Sequence, residues 1–349
     1  MKRKSLNVKQ VAKKELLKHI KDKKINKIYK EFEIFLNQTK SDSFLVSVSG
    51  GADSLALSYL AKCYGILNKK KISFVHFNHN LRKNSLEEAK KVKKVLKNYK
   101  MNCQIFNWKK KGSKNLMSSA RNFRYDMVKK LLKTKKINSV LIGHHEDDFY
   151  ENFFIRLFRG SGLKGLISFA NMSISNDKGY NILRPLLNQS KKNLIHISNK
   201  VFNYYINDPT NSDNNFLRSR VRKQIQVFKK EGLDLKKFRQ TMDNLASANS
   251  SIDAFVDQNF NSNCKFFDQN KRCIVNSRFF SQPQEISMRS MSLILQKIGR
   301  KSYPVRGKSL NNLLTNLYKK NFKKATLSGC VIEKVENSVV IRPEITKIS

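Results

Sequence analysis

The chain has 349 residues, which is enough for two domains with a sizeable buried core. It carries 70 Lys and Arg against 26 Asp and Glu, and this net charge of +44 favours a polyanionic partner such as RNA or DNA. A codon bias toward A and T is an alternative source for part of the Lys excess. Five dispersed cysteines without a C-x-x-C spacing argue against a zinc or iron–sulfur site, and no apolar run is long enough to span a membrane. We therefore expect a soluble, cytoplasmic protein with buried free thiols.

The first 40 residues are rich in Lys. Within them, Ile25, Ile28, Phe32, Phe35 and Leu36 have the spacing of one helix face. This pattern predicts an amphipathic helix that packs on the domain that follows.

Residues 44–142 alternate between β-prone and helical patterns. Helices of this length between strands predict right-handed crossovers and a parallel, doubly wound α/β sheet that is covered on both faces. Ligands of such sheets bind beyond the carboxyl ends of the strands, so the residues that follow each strand are the candidate site residues. The predicted strands are 44–48, 72–77, 102–107 and 138–142, and the predicted helices are 54–67, 85–99 and 116–133.

The first strand runs into the segment Ser49–Ser54, with the sequence SGGADS, and a helical pattern follows it. Two glycines let the backbone turn with its N–H groups facing inward, while the helix start adds the positive end of its dipole and the serines add hydroxyl donors. This combination predicts a phosphate site, with a plain Gly-Gly turn as the alternative. The loop is neither the G-x-x-x-x-G-K-[ST] loop of kinases and GTPases nor the dinucleotide fingerprint G-x-G-x-x-G.

Two further strand ends carry histidines and acids. Segment His76–Arg82 (HFNHNLR) follows the second strand and Gly143–Asn152 (GHHEDDFYEN) follows the fourth, and together they hold four of the six histidines. A solvated helix start would explain some of the acids, because carboxylates favour a helix N-terminus, but it would not explain the adjoining histidines. We predict a functional cluster at these strand ends.

Two arginine pairs and a glycine-rich segment also stand out. Arg121 and Arg124 lie three apart on one predicted helix and Arg218 and Arg222 lie four apart on another, so each pair shares a helix face. Phosphate contact and ordinary surface charge are both consistent with Arg121 and Arg124. Segment 156–166 (RLFRGSGLKGL) predicts either a loop that approaches a ligand closely or a helix C-cap followed by a turn.

The remaining patterns complete the domain division. ILRPLL at 182–187 predicts a short edge strand that Pro185 stops, and a helix over 190–206 ends at turn-forming residues. The sequence after that turn is mainly helical to about residue 300 and contains short β-prone runs beyond it. The predicted parts are a helical extension (1–40), a catalytic domain (41–213), a helical domain (214–300) and a small α+β segment (301–349).

Six separated segments together resemble the tRNA(Ile)-lysidine synthase family of the ATP pyrophosphatase (PP-loop) superfamily. They occur in the family's order and span about half of the chain. They are SVSGGADSLAL, FNHNLR, ARNFRY, GHHEDDFYEN with RLFRGSGLKGL, LRPLL, and DPTNSDNNFLRSRVR. The family usually has D-D-Q-A-E-T at Asp147–Asn152 and often Asp at the position of Asn78, so the resemblance does not extend to the contacts of the replaced Gln and Thr.

This resemblance implies an ATP-dependent ligase that acts on the wobble cytidine of tRNA(Ile) with a CAU anticodon. ATP adenylates O2 of that base and releases pyrophosphate, and the ε-amine of L-lysine then attacks C2 and expels AMP. The expected cofactors are ATP and Mg²⁺, no membrane is involved, and a homodimer is one candidate state. The basic C-terminal half, with its interspersed aromatic residues, is expected to hold the tRNA.

The resemblance also implies roles for the residues of the motifs. Asp53 helps to hold Mg²⁺, Asp148 and Glu151 hold the lysine ammonium, and His144 or His145 takes its proton. The implied nucleotide-binding residues are Ser49, Gly50, Gly51, Ala52, Asp53, Ser54, His79, Arg82, Arg121, Arg124, Arg218 and Arg222.

Three rival interpretations share parts of this pattern. A PP-loop tRNA thiolase would typically need a C-x-x-C or a catalytic cysteine pair, which the sequence lacks. A small-molecule amidating synthetase would not need so basic a surface. An RNA-binding protein with a vestigial ATP site is disfavoured by the intact loop at Ser49–Ser54.

Overall fold

The structure is a computed structural model. The residues that it describes are 14–80, 84–109, 116–169, 180–207, 217–267, 271–301, 304–317, 319 and 321–344. The principal helices are α1 (Lys23–Asn37), α2 (Ala52–Leu67), α3 (Ser85–Asn98), α4 (Leu116–Lys135), α5 (Glu146–Leu157), α6 (Leu163–Leu166), α7 (Lys191–Phe202), α8 (Leu217–Lys230), α9 (Leu235–Asn263), α10 (Gln284–Gly299) and α11 (Gly307–Leu317). The strands are β1 (Ser43–Ser47), β2 (Lys71–Asn78), β3 (Cys103–Asn107), β4 (Ser139–Leu141), β5 (Asn181–Leu183), β6 (Cys264–Phe267), β7 (Arg272–Val275), β8 (Lys324–Leu327), β9 (Cys330–Val335) and β10 (Ser338–Pro343).

The first sheet has five parallel strands in the order β3-β2-β1-β4-β5. The predicted doubly wound α/β fold is confirmed, and β5 is the predicted edge strand, ending two residues before Pro185. From β1 the chain goes to one side for β2 and β3 and to the other side for β4 and β5. The connections that leave β1 and β4 therefore diverge, and a crevice forms at the carboxyl ends of these two strands.

Separate apolar cores cover the two faces of this sheet. Phe44 and Val46 of β1 face the core shared with α1, α2, α3 and α7, whereas Leu45 faces the core shared with α4. The predicted N-terminal amphipathic helix is α1, which buries Ile25 and Phe32 in the first of these cores. Each large apolar side chain buried in this way contributes about 1.5–3 kcal/mol, so packing on both faces fixes β1 and hence the loop that follows it.

Residues 1–239 and 240–349 form two compact units. In the second unit, α10 and α11 pack with an antiparallel sheet in the order β6-β7-β10-β9-β8 around its own apolar core. Strands β6 and β7 lie within the stretch whose pattern is mainly helical, because runs of four residues show no measurable period. The finer four-part division stays a prediction.

The cysteines are free thiols, and four of the five are buried. Burial raises the pKa of both Cys63 and Cys103 to about 12, which makes these thiols unreactive at neutral pH. Of the helices that the structure describes, none combines the length and the apolar character that a membrane crossing requires.

Candidate active site

The loop after β1 turns on one glycine. Gly50 has φ +95°, which side chains rarely adopt, and a Cβ there would lie 2.6 Å from both Ile206 Cδ1 and Val92 Cγ2. Gly51 instead has φ −71° and ψ 163° and is the N-cap of α2. The turn predicted for two glycines therefore depends on the conformation of Gly50 alone, and Gly51 places the start of the helix.

Hydrogen bonds within the loop occupy Ser54. The Gly50 N–H donates to Ser54 Oγ at 3.0 Å, and this hydroxyl donates to the Gly51 carbonyl at 2.9 Å. Ser54 is buried and shapes the loop, whereas α2 begins without a side-chain cap and leaves its first N–H groups to bind an anion.

A cavity of 480 Å³ opens beside this loop, where the chain leaves β1 and β4. Gly143 allows the two segments to approach, because a Cβ on it would lie 3.2 Å from the Asp53 carbonyl and the Ser54 nitrogen. The cavity is lined by Ser49, Gly51, Ala52, Asp53, His145, Asp147, Asp148, Lys191, Ile195, Tyr205, Ile206, Asn207, Arg218 and Arg222. The structure thus brings most of the predicted loop and part of the predicted acidic cluster into one pocket.

Two nitrogen-bearing side chains, Lys191 and His145, lie beside the Asp53 carboxylate in this pocket. Lys191 Nζ donates to both of its carboxylate oxygens, at 2.8 and 2.7 Å, and His145 Nε2 lies 3.7 Å from Oδ2. Asp53 also lies in the first turn of α2, where the helix dipole stabilises a carboxylate. The carboxylate is therefore already matched with a cation before any ligand is present.

His145 is fixed by its position as the N-cap of α5. Its Nδ1 accepts the Asp147 N–H at 3.2 Å, and its own backbone N–H donates to Asp148 Oδ2 at 3.0 Å. In its neutral form the ring therefore carries its proton on Nε2, which lies 3.8 Å from Asp148 Oδ2 in addition to its contact with Asp53. Nε2 of His145 is thus near the carboxylates of both Asp53 and Asp148.

Asp148 is nearly buried but remains ionised. Burial raises its pKa, yet the positive charges of His145 and Arg218 outweigh burial, and the pKa lies below its usual range. Arg218 Nη2 donates a short hydrogen bond to Asp148 Oδ1. Asp148 therefore offers a permanent negative charge to the cavity.

Glu151 anchors the arginine pair. Its side chain is fully buried, its Oε2 accepts from Arg218 Nε at 2.5 Å, and its Oε1 accepts from Arg222 Nε at 2.6 Å. Burial lowers the pKa of both guanidiniums, but the facing carboxylates more than compensate and raise it. Glu151 is not among the residues that line the cavity, so it acts on the pocket through the two arginines that are.

A second cavity of 270 Å³ lies at the ends of β1 and β2 and shares Ser49 and Ile206 with the first. It contains the predicted residues His79 and Arg124. Burial lowers the pKa of His79, and the Arg124 guanidinium lowers it further. Asn78, where the family often has Asp, donates to Asn107 Oδ1 at 3.0 Å and stabilises the rim of this cavity.

The remaining predicted residues lie outside the two pockets. Burial lowers the pKa of His144 to about 4, and although the Asp148 charge opposes this, Arg184 reinforces it. His144 Nδ1 accepts from Arg184 Nε at 3.1 Å, and its ring lies 5.2 Å from that of Phe169. Arg121 lines neither cavity, and Arg82 lies outside the described residues.

Lys191 is a site residue that the motifs did not single out. It follows β5, the strand whose carboxyl end lies beside that of β4. The rule that ligands meet residues beyond strand ends would have included it. One lysine among 70 basic residues carries little signal by itself, so only the fold distinguishes Lys191.

The chain is similar in sequence to known proteins. The family described as a PP-loop domain matches residues 17–228. The chain is 30% identical over 308 residues to a tRNA(Ile)-lysidine synthase of Orientia tsutsugamushi, which covers 86% of this chain and 69% of the relative. The chain belongs to the tRNA(Ile)-lysidine synthase family. A family member from Rhodopseudomonas palustris is 29% identical over 323 residues, covering 89% of this chain and 93% of that protein.

Membership of the tRNA(Ile)-lysidine synthase family makes this a PP-loop, ATP-utilising protein. A solved U34-tRNA thiolase, NcsA from Methanococcus maripaludis with its [4Fe-4S] cluster, shares the fold with a TM-score of 0.54. It is 17% identical in sequence and covers 64% of this chain and 78% of its own, so the likeness extends to the fold alone.

Two of the replacements in the family's D-D-Q-A-E-T motif, Phe149 and Asn152, have structural roles. Phe149, in place of the Gln, is buried and lies under the Arg239 guanidinium, with its ring centroid 5.1 Å away. Asn152, in place of the Thr, accepts from Arg156 Nε at 2.7 Å. Both replacements therefore make contacts away from the cavity, and the acids of the motif stay in place.

Proposed function

We propose that the protein converts the wobble cytidine of tRNA(Ile) with a CAU anticodon to lysidine, using ATP and L-lysine. The observation that carries the proposal is the 480 Å³ cavity, which is lined by the loop after β1, by Asp148 and by the anchored Arg218 and Arg222. The names of the relatives support the same reaction. A cytidine in an anticodon loop is already unpaired, so its entry into a pocket costs little.

In the first step, O2 of the cytidine attacks the α-phosphorus of ATP. The bond to the bridging oxygen breaks, and pyrophosphate leaves. The loop at Ser49–Asp53 and the N-terminus of α2 bind the departing phosphates, and Arg218 and Arg222 offset their charge. The adjoining 270 Å³ cavity, with His79 and Arg124, is the proposed place for the adenosine.

The site fits a Mg²⁺ ion that is bound jointly by a protein carboxylate and by substrate phosphates. The described residues contain no cluster of three or more metal-ligating side chains, but Mg²⁺ usually takes one or two carboxylates together with substrate phosphates. Asp53 is the carboxylate that would hold it. When bound, the ion would supply charge compensation on the leaving pyrophosphate. Lys191, which pairs with Asp53, is then free to contact a phosphate oxygen.

In the second step, the ε-amine of lysine attacks C2. The C2–O2 bond breaks, AMP leaves with that oxygen, and the proton that the amine loses goes to the carboxylates that His145 orients. Free lysine has a pKa of about 10.4, and the cations around the cavity lower it toward the neutral amine. Asp148 is the proposed partner of the incoming ammonium, and Glu151 supports it by fixing Arg218.

The two histidines have different proposed roles. His145 is the better placed, since its Nε2 faces both Asp53 and Asp148 in the cavity. Because its Nδ1 already accepts a backbone N–H, His145 orients the carboxylates and passes a proton along them rather than removing one unaided. His144 is proposed to stay neutral and to position Arg184.

Residues 240–349 are proposed to hold the body of the tRNA. A cavity of 530 Å³ in this unit has Lys271, Arg300 and Lys301 on its lining. Lys297 lies 4.0 Å from the centre of the Phe266 ring, so cations and aromatic faces occur together. This combination suits phosphate contact and stacking.

The decisive test supplies ATP, Mg²⁺, labelled lysine and two transcripts, tRNA(Ile) with a CAU anticodon and methionine tRNA. Label is expected only in the isoleucine species, with one AMP released per lysine incorporated. Tight tRNA binding without AMP release would indicate a non-catalytic RNA-binding protein instead.

A second test addresses the lysine site. Asp148→Asn removes the negative charge but keeps the shape, so kcat/KM for lysine should fall by about a hundredfold or more. An unchanged kcat/KM for lysine would refute the role proposed for Asp148.

A further inference from the structure

The far end of α5 exposes an aromatic ring. Phe158 directly follows the helix and is 58% exposed, and the preceding Leu157 is 46% exposed. The Phe158 ring rests 6.3 Å from that of Phe154, which in turn lies 5.5 Å from Phe228. Phe158 therefore has an apolar support beneath it and much of its own surface open to solvent.

Two guanidiniums flank this ring in sequence, those of Arg156 and Arg159. Arg121 of α4 lies close enough to Arg156 for their charges to interact. Burial lowers the pKa of Arg156, and the positive charges of Arg121 and Arg159 lower it further, as mutual repulsion requires. Asn152 orients Arg156 and Tyr125 orients Arg121, each through a neutral oxygen.

These arginines have no counter-ion on the described part of the chain. None of the carboxylates described forms an ion pair with Arg121, Arg156 or Arg159. A cation near a helix C-terminus is stabilised by the dipole, which accounts for Arg156 and Arg159 but not for Arg121 on a different helix. The surface therefore carries positive charge that an external anion can neutralise.

Two glycines, Gly160 and Gly162, follow the exposed ring and have different structural settings. Gly160 has φ +64° and terminates α5, which accounts for its lack of a side chain. Gly162 has φ −67°, and no described atom lies within 4 Å of a Cβ placed on it. Gly162 is the N-cap of α6, a position where glycine is common, and the open space beside it leaves room for a ligand backbone.

We propose that Arg121, Arg156, Phe158, Arg159 and Gly162 form a distal surface that binds unpaired nucleotides of the tRNA adjoining the target base. A base stacks on Phe158 and the arginines hold the neighbouring phosphates, which is how proteins commonly grip single-stranded RNA. The inference rests on the proposed function, because it names where that substrate continues beyond the cavity.

The length of α5 fits this arrangement. The helix begins at His145 beside the cavity and has 12 residues, so the distal surface lies roughly 18 Å from its start. Stacked nucleotides rise about 3.4 Å each along a strand, so roughly five nucleotides cover this distance. An anticodon loop with its closing stem is long enough to reach both places.

A second copy of the chain is a less suitable occupant. A two-fold symmetric contact would place the three guanidiniums of one copy against the same three of the other. No described carboxylate at the distal surface would neutralise them, whereas each nucleotide brings a negative phosphate.

The test compares Phe158→Ala and Phe158→Trp with Ile34→Ala, a matched loss of an apolar side chain that is 61% exposed on α1. Loss of one stacked base should weaken the Kd for the tRNA(Ile) transcript, and raise its KM, by about tenfold. Phe158→Trp should keep wild-type affinity, Ile34→Ala should change neither value, and the KM for ATP should stay the same in all three. Arg121→Ala and Arg159→Ala should each reduce the slope of log Kd against log salt by about one.

The outcomes separate this inference from the proposed function. If the wild-type protein transfers lysine but Phe158→Ala binds the transcript as Ile34→Ala does, the distal surface has no such role. If Phe158→Ala alters sedimentation from dimer to monomer and leaves RNA affinity intact, the surface is a homodimer contact and the inference also fails. If the wild-type protein transfers no lysine, the proposed function fails, and the Kd values still decide whether the surface binds RNA.

Discussion

The two ends of α5 differ in whether their charged side chains are paired with opposite charges. At its N-terminal end, Asp148 and the buried Glu151 are paired with Arg218 and Arg222, and nearby Asp53 is paired with Lys191. At its C-terminal end, Arg121, Arg156 and Arg159 have no partner among the carboxylates that the structure describes. One helix of 12 residues thus joins a site whose charges are balanced internally to a surface whose charges are not.

This difference indicates two uses of the same residue type. With only 26 acids against 70 basic residues, the acids that do occur decide which cations are fixed. Paired arginines are held in one geometry before substrate arrives, as electrostatic catalysis requires. Unpaired arginines keep their full attraction for a polyanion, as substrate capture requires.

The largest expected effect comes from removing the Glu151 charge at the N-terminal end of α5, where the charges are paired. Glu151→Gln leaves two guanidiniums without their shared carboxylate, which should lower the free energy of unfolding by about 2–3 kcal/mol, less than for fully buried partners. It should also release Arg218 and Arg222 and reduce kcat by about a hundredfold. Urea unfolding followed by the fluorescence of Trp108, the single tryptophan, reports on the unit that contains the site.

The control for this prediction is Glu87→Gln, an exposed acid that pairs with Lys90 in the same unit as the site. Its loss should change stability by no more than about 0.5 kcal/mol. Equal effects of the two substitutions would contradict the view that the buried acid organises the site.

A pair of arginine substitutions tests the comparison directly. Arg222→Ala removes a partner of the buried Glu151 and should cost about 1–2 kcal/mol. Arg159→Ala removes a cation without a described partner and should change stability by less than about 0.5 kcal/mol, while weakening binding to the tRNA transcript. If Arg159→Ala destabilises the protein more than Arg222→Ala does, the proposed difference in charge pairing between the two ends of α5 is wrong.

The fold and much of the site follow from the sequence for identifiable reasons. Buried strands separated by helices give a strong pattern, so the parallel sheet and the positions of Ser49–Ser54 and Asp148 at strand ends are predictable. The partners of Glu151 are not, because only the packing of α8 on α5 determines which acid is enclosed. Nor does the sequence identify Lys191 as a site residue, because lysine is abundant throughout the chain.

The turn at the phosphate loop shows a similar limit. Two adjacent glycines predict a tight turn, but the sequence does not reveal that Gly50 alone adopts a positive φ and is covered by Ile206. That contact comes from a residue more than 150 positions away along the chain, where no local pattern refers to it. Long-range packing decides such details, and composition does not encode them.

The remaining expected effect is that acid destabilises the N-terminal end of α5 through protonation of His144. Its pKa falls from 6.5 in the unfolded chain to about 4 in the folded one, chiefly through burial. Between these two values the unfolded chain binds the proton and the folded one does not, so stability falls as the pH drops through this window, by an amount on the order of 3 kcal/mol. Protonation also removes the acceptor that Nδ1 offers to Arg184.

His144→Gln keeps an acceptor for Arg184 but cannot take up a proton. Its unfolding free energy should therefore depend less steeply on pH between 4 and 6.5 than that of the wild-type protein, so the difference between the two curves changes across this window and is constant above it. Urea unfolding at half-unit pH steps measures this difference. Parallel curves would mean that His144 is not held neutral, and that the end of α5 nearest the cavity tolerates an additional positive charge as readily as the distal surface does.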